Sequence, residues 1–139
     1  MRRALILAGL ALVALGAIAC KKEKAAASGG ASGAAVDPVI AAWKQAGLQV
    51  GELKDDKPIA GGHCRAGQAS GLDIEICDYA DAAAAKKAET DGLALVGETT
   101  GLAIAEGTRL LVVADRGKAD VNGKRMNDLA RTFRDQSKK

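Results

Sequence analysis

The chain has 139 residues, 48% of them hydrophobic but only 2% aromatic, with three cysteines and a formal charge of +3. This length sets one folded domain as the expectation, and with Trp43, Tyr79 and Phe133 as its whole aromatic stock the core must come from Ala, Val, Leu and Ile. Arg2 and Arg3 supply most of the net charge, so the rest of the chain lacks the concentrated basic face of a nucleic-acid binder.

Met1-Arg2-Arg3 is a short positive start, and residues 4–19 contain no charged side chain. That apolar stretch is shorter than the roughly 20 residues of a transmembrane helix. It matches the charged and apolar regions of a signal peptide, residues 1–19. Ala17-Ile18-Ala19-Cys20 follows. This segment resembles the lipobox of bacterial lipoproteins, where Leu, a small or aliphatic residue and Gly or Ala precede a Cys. Ala17 stands where Leu is usual; Ile18, Ala19 and Cys20 fit. The resemblance implies cleavage before Cys20, a diacylglycerol thioether on Cys20 and acylation of the new N-terminus. More than one acyl chain gives stable membrane anchoring. The membrane is thus the first expected partner, and the bacterial envelope the expected location. The same Ala17-Ile18-Ala19 is also an A-x-A site for ordinary signal peptidase, which would release a soluble chain. Cysteine arithmetic separates the two. In an oxidising compartment three cysteines leave one unpaired, and lipidating Cys20 leaves Cys64 and Cys77 as a pair. Lys21 occupies the position where a sorting Asp marks inner-membrane retention in enteric lipoproteins, which tilts the expectation toward the outer membrane.

Residues 20–35 form the lipidated tether. Lys21 to Ala35 reads KKEKAAASGGASGAA, a flexible composition that spans roughly 20–25 Å as a coil. Lys21, Lys22 and Lys24 sit beside the anchor, where they either meet anionic headgroups or form a solvated linker end.

Residues 36–139 make the domain. Asp37-Pro38 opens a first helix, with Asp37 as cap and Pro38 in the first turn. Val39, Ile40, Trp43 and Ala46 form its apolar stripe, and Gly47 stops it. Leu48 to Lys54 reads as a short strand and Asp55-Asp56-Lys57-Pro58 as a turn. His63 to Ala69 and Leu72 to Cys77 read as a hairpin closed by Ser70-Gly71. In that register Cys64 faces Cys77 at a non-hydrogen-bonded pair, with Cα atoms about 4.5 Å apart, inside the reach of a disulfide. The same register puts Leu72, Ile74 and Ile76 on one face and Asp73, Glu75 and Cys77 on the other. The disulfide then lies on the more polar face and Arg65 on the apolar one, unless a bulge near Gly67 intervenes.

Asp78 or Asp81 caps a second helix through Glu89, ended by Gly92, and Leu93 to Val96 fits helix or strand. Thr99 to Ala105 and Thr108 to Ala114 form a second hairpin around Glu106-Gly107. Leu110-Leu111-Val112-Val113 is apolar on both faces, as in a central strand covered from both sides. Asp120 or Asn122 starts a last helix with the stripe Met126, Leu129, Ala130, Phe133. The class is α+β: a two-layer domain with an antiparallel sheet of about five strands, including two hairpins, and about three helices.

The sequence bears on five kinds of chemistry. His63, Cys64, Cys77 and Asp78 offer metal-ligand types. However, there is no C-x-x-C, strand neighbours point to opposite faces, and the thiols pair first in an oxidising envelope. No metal and no cofactor are expected. A redox pair would place a thiol at a helix N-terminus; here both lie on strands, favouring a structural staple worth roughly 3 kcal/mol. Hydrolase motifs are absent and His63 is the only imidazole, while Asp55-Asp56 reads as solvated. The glycines near 29–33 and 61–62 match no phosphate loop. The run Asp115 to Gly123 departs from calcium-loop spacing. The expectation is a non-enzymatic envelope lipoprotein whose domain binds or scaffolds an envelope protein, with no nucleic-acid partner. The rival is a thiol-disulfide or metal-handling protein using Cys64 and Cys77, and a hydrolytic enzyme comes third.

Overall fold

The computed structural model describes residues 37–138. The leader, Cys20 and the tether lie outside the described residues. Within them the order is α1 (Pro38–Gln45), β1 (Lys54–Asp56), β2 (His63–Ala69), β3 (Leu72–Asp78), α2 (Ala82–Lys87), α3 (Glu89–Val96), β4 (Thr100–Glu106), β5 (Arg109–Asp115) and α4 (Lys124–Ser137). The strands form one antiparallel sheet in the order β1-β2-β3-β5-β4. The fold is α+β with five strands and two hairpins. Among the described residues no helix is long and apolar enough to cross a membrane.

Local chemistry explains the first hairpin. Ser70 and Gly71 both have positive φ, 51° and 84°, as a tight two-residue turn between right-twisted strands requires. The turn sets the register, which runs unbroken from Ala69↔Leu72 to His63↔Asp78 and places Cys64 opposite Cys77. The side chains therefore alternate strictly, and no bulge relieves the mismatch of faces. It is relieved by packing.

On one face, Leu72, Ile74, Ile76, Leu111 and Val113 meet α1 and α4 through Val39, Trp43, Leu129 and Phe133. Trp43 satisfies its indole N–H by donating to the Leu129 carbonyl at 3.0 Å. Arg65 lies at the end of this apolar face and donates to Asp37 at 2.7 Å. Arg109 donates to the same carboxylate at 2.6 Å and to Asp78 at 2.9 Å. Asp37 also accepts from the Val39 N–H at 3.0 Å. One carboxylate thus caps α1 and neutralises two strand arginines.

On the opposite face, α2 and α3 pack over β5 and β4. The two-layer description fits the half of the sheet carrying β1 and β2; over β5 and β4 the second helical segment adds a third layer. Gly92 does not end that segment. It lies buried inside α3, where a Cβ would come within 2.9 Å of Val112 and 3.2 Å of Ala103. Its missing side chain lets the helix approach the sheet, and Gly97, with φ 67°, follows the last turn.

The edge strand also differs from the sequence reading. Val50 bridges Ala69, but Lys54 pairs with Ala66. Four steps on one strand thus match three on the other, which is a bulge. It passes over Gly67, where a Cβ would meet the Glu52 carbonyl at 2.7 Å. The pairing resumes beyond it and draws Asp55 and Asp56, read above as a turn, into β1.

Candidate functional site

Cys64 and Cys77 form a disulfide across β2 and β3, with Cα atoms 4.0 Å apart. The two residues are 1% and 0% exposed, beside Ile59, Ala88 and Leu110. The Ile59 N–H donates to Cys64 Sγ at 3.3 Å. The Tyr79 hydroxyl donates to the Ile59 carbonyl at 2.9 Å, and its ring lies against Gly62. The loop at residues 57–62 is clamped over the disulfide by these contacts. His63 and Asp78 stay apart from the sulfurs, because strand alternation turns them to the other face. There His63 sits 3.8 Å from Asp55, and Asp78 binds Arg109. The four residues considered as metal ligands therefore do not converge. Glu75 is the carboxyl that comes near the sulfurs, with Oε1 3.9 Å from Cys77. The sulfurs are bonded to each other and carry no thiolate to offer a metal.

Sequence reasoning missed the groove beyond the disulfide. Ala66, Glu75 and Val112 are register neighbours across β2, β3 and β5, and they form its floor. Asp56 and the loop at residues 57–60 make one wall; Asp91 and Leu95 of α3 make the other. This section has a volume of about 440 Å³. A further section of about 250 Å³ shares Asp56, Glu75 and Leu95 and runs toward Asp73 and Arg116. That end is held by an Arg116–Asp73 pair at 3.4 Å and by Arg116 donating to the Leu95 carbonyl at 2.7 Å. The groove exists because α2 and α3 cover only part of the face.

Its electrostatics are one-sided. Burial pushes the Glu75 carboxyl up to about 7, and the nearby Asp56 adds to the rise. Burial also raises the Tyr79 hydroxyl, with further contributions from Glu75 and Asp91. Asp56 accepts from the Lys57 N–H at 2.7 Å, but among the described residues none of Asp56, Glu75 and Asp91 forms an ion pair. A carboxyl that ionises near neutrality in an open groove can hold a cation or exchange a proton. The signal in the sequence was Glu75 itself, a charge on the strand that the structure makes central. Comparison of the chain with protein-family models, with curated proteins and with solved structures returned no match.

Proposed function

We propose that the protein is a lipid-anchored lipoprotein of a bacterial envelope, and that its domain is a non-catalytic module that binds or scaffolds another envelope component. The observation that carries this reading is the cysteine accounting. Cys64 and Cys77 are bonded to each other, which leaves Cys20 as the one cysteine outside the pair, directly after the apolar stretch 4–19. A disulfide belongs to an oxidising compartment, and the lipobox-like segment gives Cys20 a use there. The groove on the second face supports the binding role, since concave, mixed apolar and polar surfaces are where ligands seat.

The test is the intact mass of protein purified from membranes, before and after reduction. Acyl mass on a chain beginning at Cys20 is expected, with two hydrogens gained on reduction of the disulfide. An unmodified soluble chain beginning at Cys20 would refute the anchor. Burial of both cysteines and their placement on strands weigh against redox work. Capture of a partner as a mixed disulfide by Cys64→Ser or Cys77→Ser would reverse that weighting.

A further inference from the structure

We propose that the groove over Glu75 seats a basic side chain of a protein partner, a lysine or arginine with an apolar neighbour, and so sets what this module binds. The inference rests on the binding-module reading and names the chemistry of its partner.

Charge complementarity carries it. Other carboxylates withdrawn from water have partners: Asp37 has Arg65 and Arg109, Glu89 has Lys86, and the buried Asp115 and Asp120 each accept two backbone N–H groups. Glu75 lies on the central strand, partly buried, and among the described residues it forms no ion pair. The charged and titratable groups around it are Asp56 and Lys54 of β1, Lys57 of the loop, Tyr79 after β3, Asp91 of α3, and, in the adjoining section, Asp73 and Arg116, which pair with each other. Among the described residues Lys57 is the only cation lining the larger section. The walls complete the fit. Leu95 is 48% exposed and stands opposite Pro58 and Ile59. Lysine and arginine bury their methylene stems on such apolar surface while the charged head finds a polar partner. The volume of about 440 Å³ suits a side chain with a neighbour.

The test uses the full chain in nonionic detergent and a fluorescein-labelled hexapeptide of alternating lysine and leucine, followed by fluorescence anisotropy. The control peptide carries glutamate in place of lysine. The lysine peptide is expected to bind, the glutamate peptide to fail, and affinity to rise between about pH 5.5 and 8 as Glu75 ionises. Glu75→Gln is expected to weaken binding roughly tenfold and to flatten the pH dependence. Asp91→Lys, on the exposed side of α3, should weaken it with the melting temperature unchanged. Equal affinity for the two peptides, no binding by the wild type, or wild-type affinity and pH dependence in Glu75→Gln would each overturn the assignment. Absence of acyl mass on Cys20 would remove the anchor and leave this test unaffected. Absence of peptide binding would remove the groove assignment and leave the anchor.

Discussion

The two faces of the sheet are closed by different means. The face under α1 and α4 buries Trp43, Phe133, Leu72, Ile76, Leu111 and Leu129 completely. Side chains of that size contribute about 1.5–3 kcal/mol each when removed from water. The face under α2 and α3 includes Ala85, Ala88, Ala103, Ala105 and Ala114, with Ile59, Val96, Leu110 and Val112 as its larger aliphatic members. Small residues bury little area, and a disulfide occupies the place a large side chain would take. The first face therefore carries stability by packing. The second is stapled, incompletely covered, and free to hold an acidic groove.

Four predictions can break or sharpen that contrast. The largest effect belongs to the packed face: Trp43→Ala should cost about 3–5 kcal/mol in urea unfolding. A loss under about 1 kcal/mol would mean that this face is not the seat of stability. Next comes the staple. Cys64→Ala/Cys77→Ala opens a loop of 13 residues' separation and should cost about 3 kcal/mol, read as a fall in the urea midpoint. In the wild type, reductant should act slowly, because both cysteines are buried.

Asp37 joins α1 to the sheet. Its Arg109 and Arg65 partners and the Val39 N–H hold its carboxyl below the ordinary value of 3.8, against the opposing effect of burial. Its folded value is depressed, so its stabilisation is present above pH 3.8 and is lost as pH falls through the folded value. Asp37→Ala should cost about 2 kcal/mol at neutral pH, with the difference from wild type shrinking in acid. A constant difference down to the acid limit would assign the loss to packing alone. Glu75 has the opposite sign. Its folded value is raised from 4.5 to about 7, so ionising it costs stability as pH rises through that window. Glu75→Gln should be more stable than wild type above neutrality by about 1 kcal/mol after solvent screening, and equal to it near the acid end. A gain in stability paired with lost peptide binding would mark a residue kept for function at a cost to the fold.

Much of the fold was legible in the sequence where it depends on near neighbours. The stripes at Val39 and Trp43 and at Met126, Leu129 and Phe133 marked α1 and α4 because a helix repeats its face every few residues. Ser70-Gly71 marked the first hairpin because the turn type fixes strand register. Gly92 misled the reading, since a helix stop and a close-packing site call for the same residue. The strand read at Leu48 to Lys54 was displaced by a bulge whose cause, Gly67, lies on a neighbouring strand. The puzzle of a disulfide on the polar face could not be settled without knowing that the loop at residues 57–62 and Ala88 close over it.

The sequence by itself determined the class, the two hairpins and the opposition of Cys64 to Cys77, because periodicity and turn chemistry act over a few residues. Only the tertiary structure decided that helices lie on both faces, that Asp37 gathers Arg65 and Arg109 from distant strands, and that Asp56, Glu75, Asp91 and Leu95 line one groove. Those groupings depend on how far α3 extends across a sheet whose strand order is not the chain order, a property set by long-range packing between segments that carry no local mark of one another.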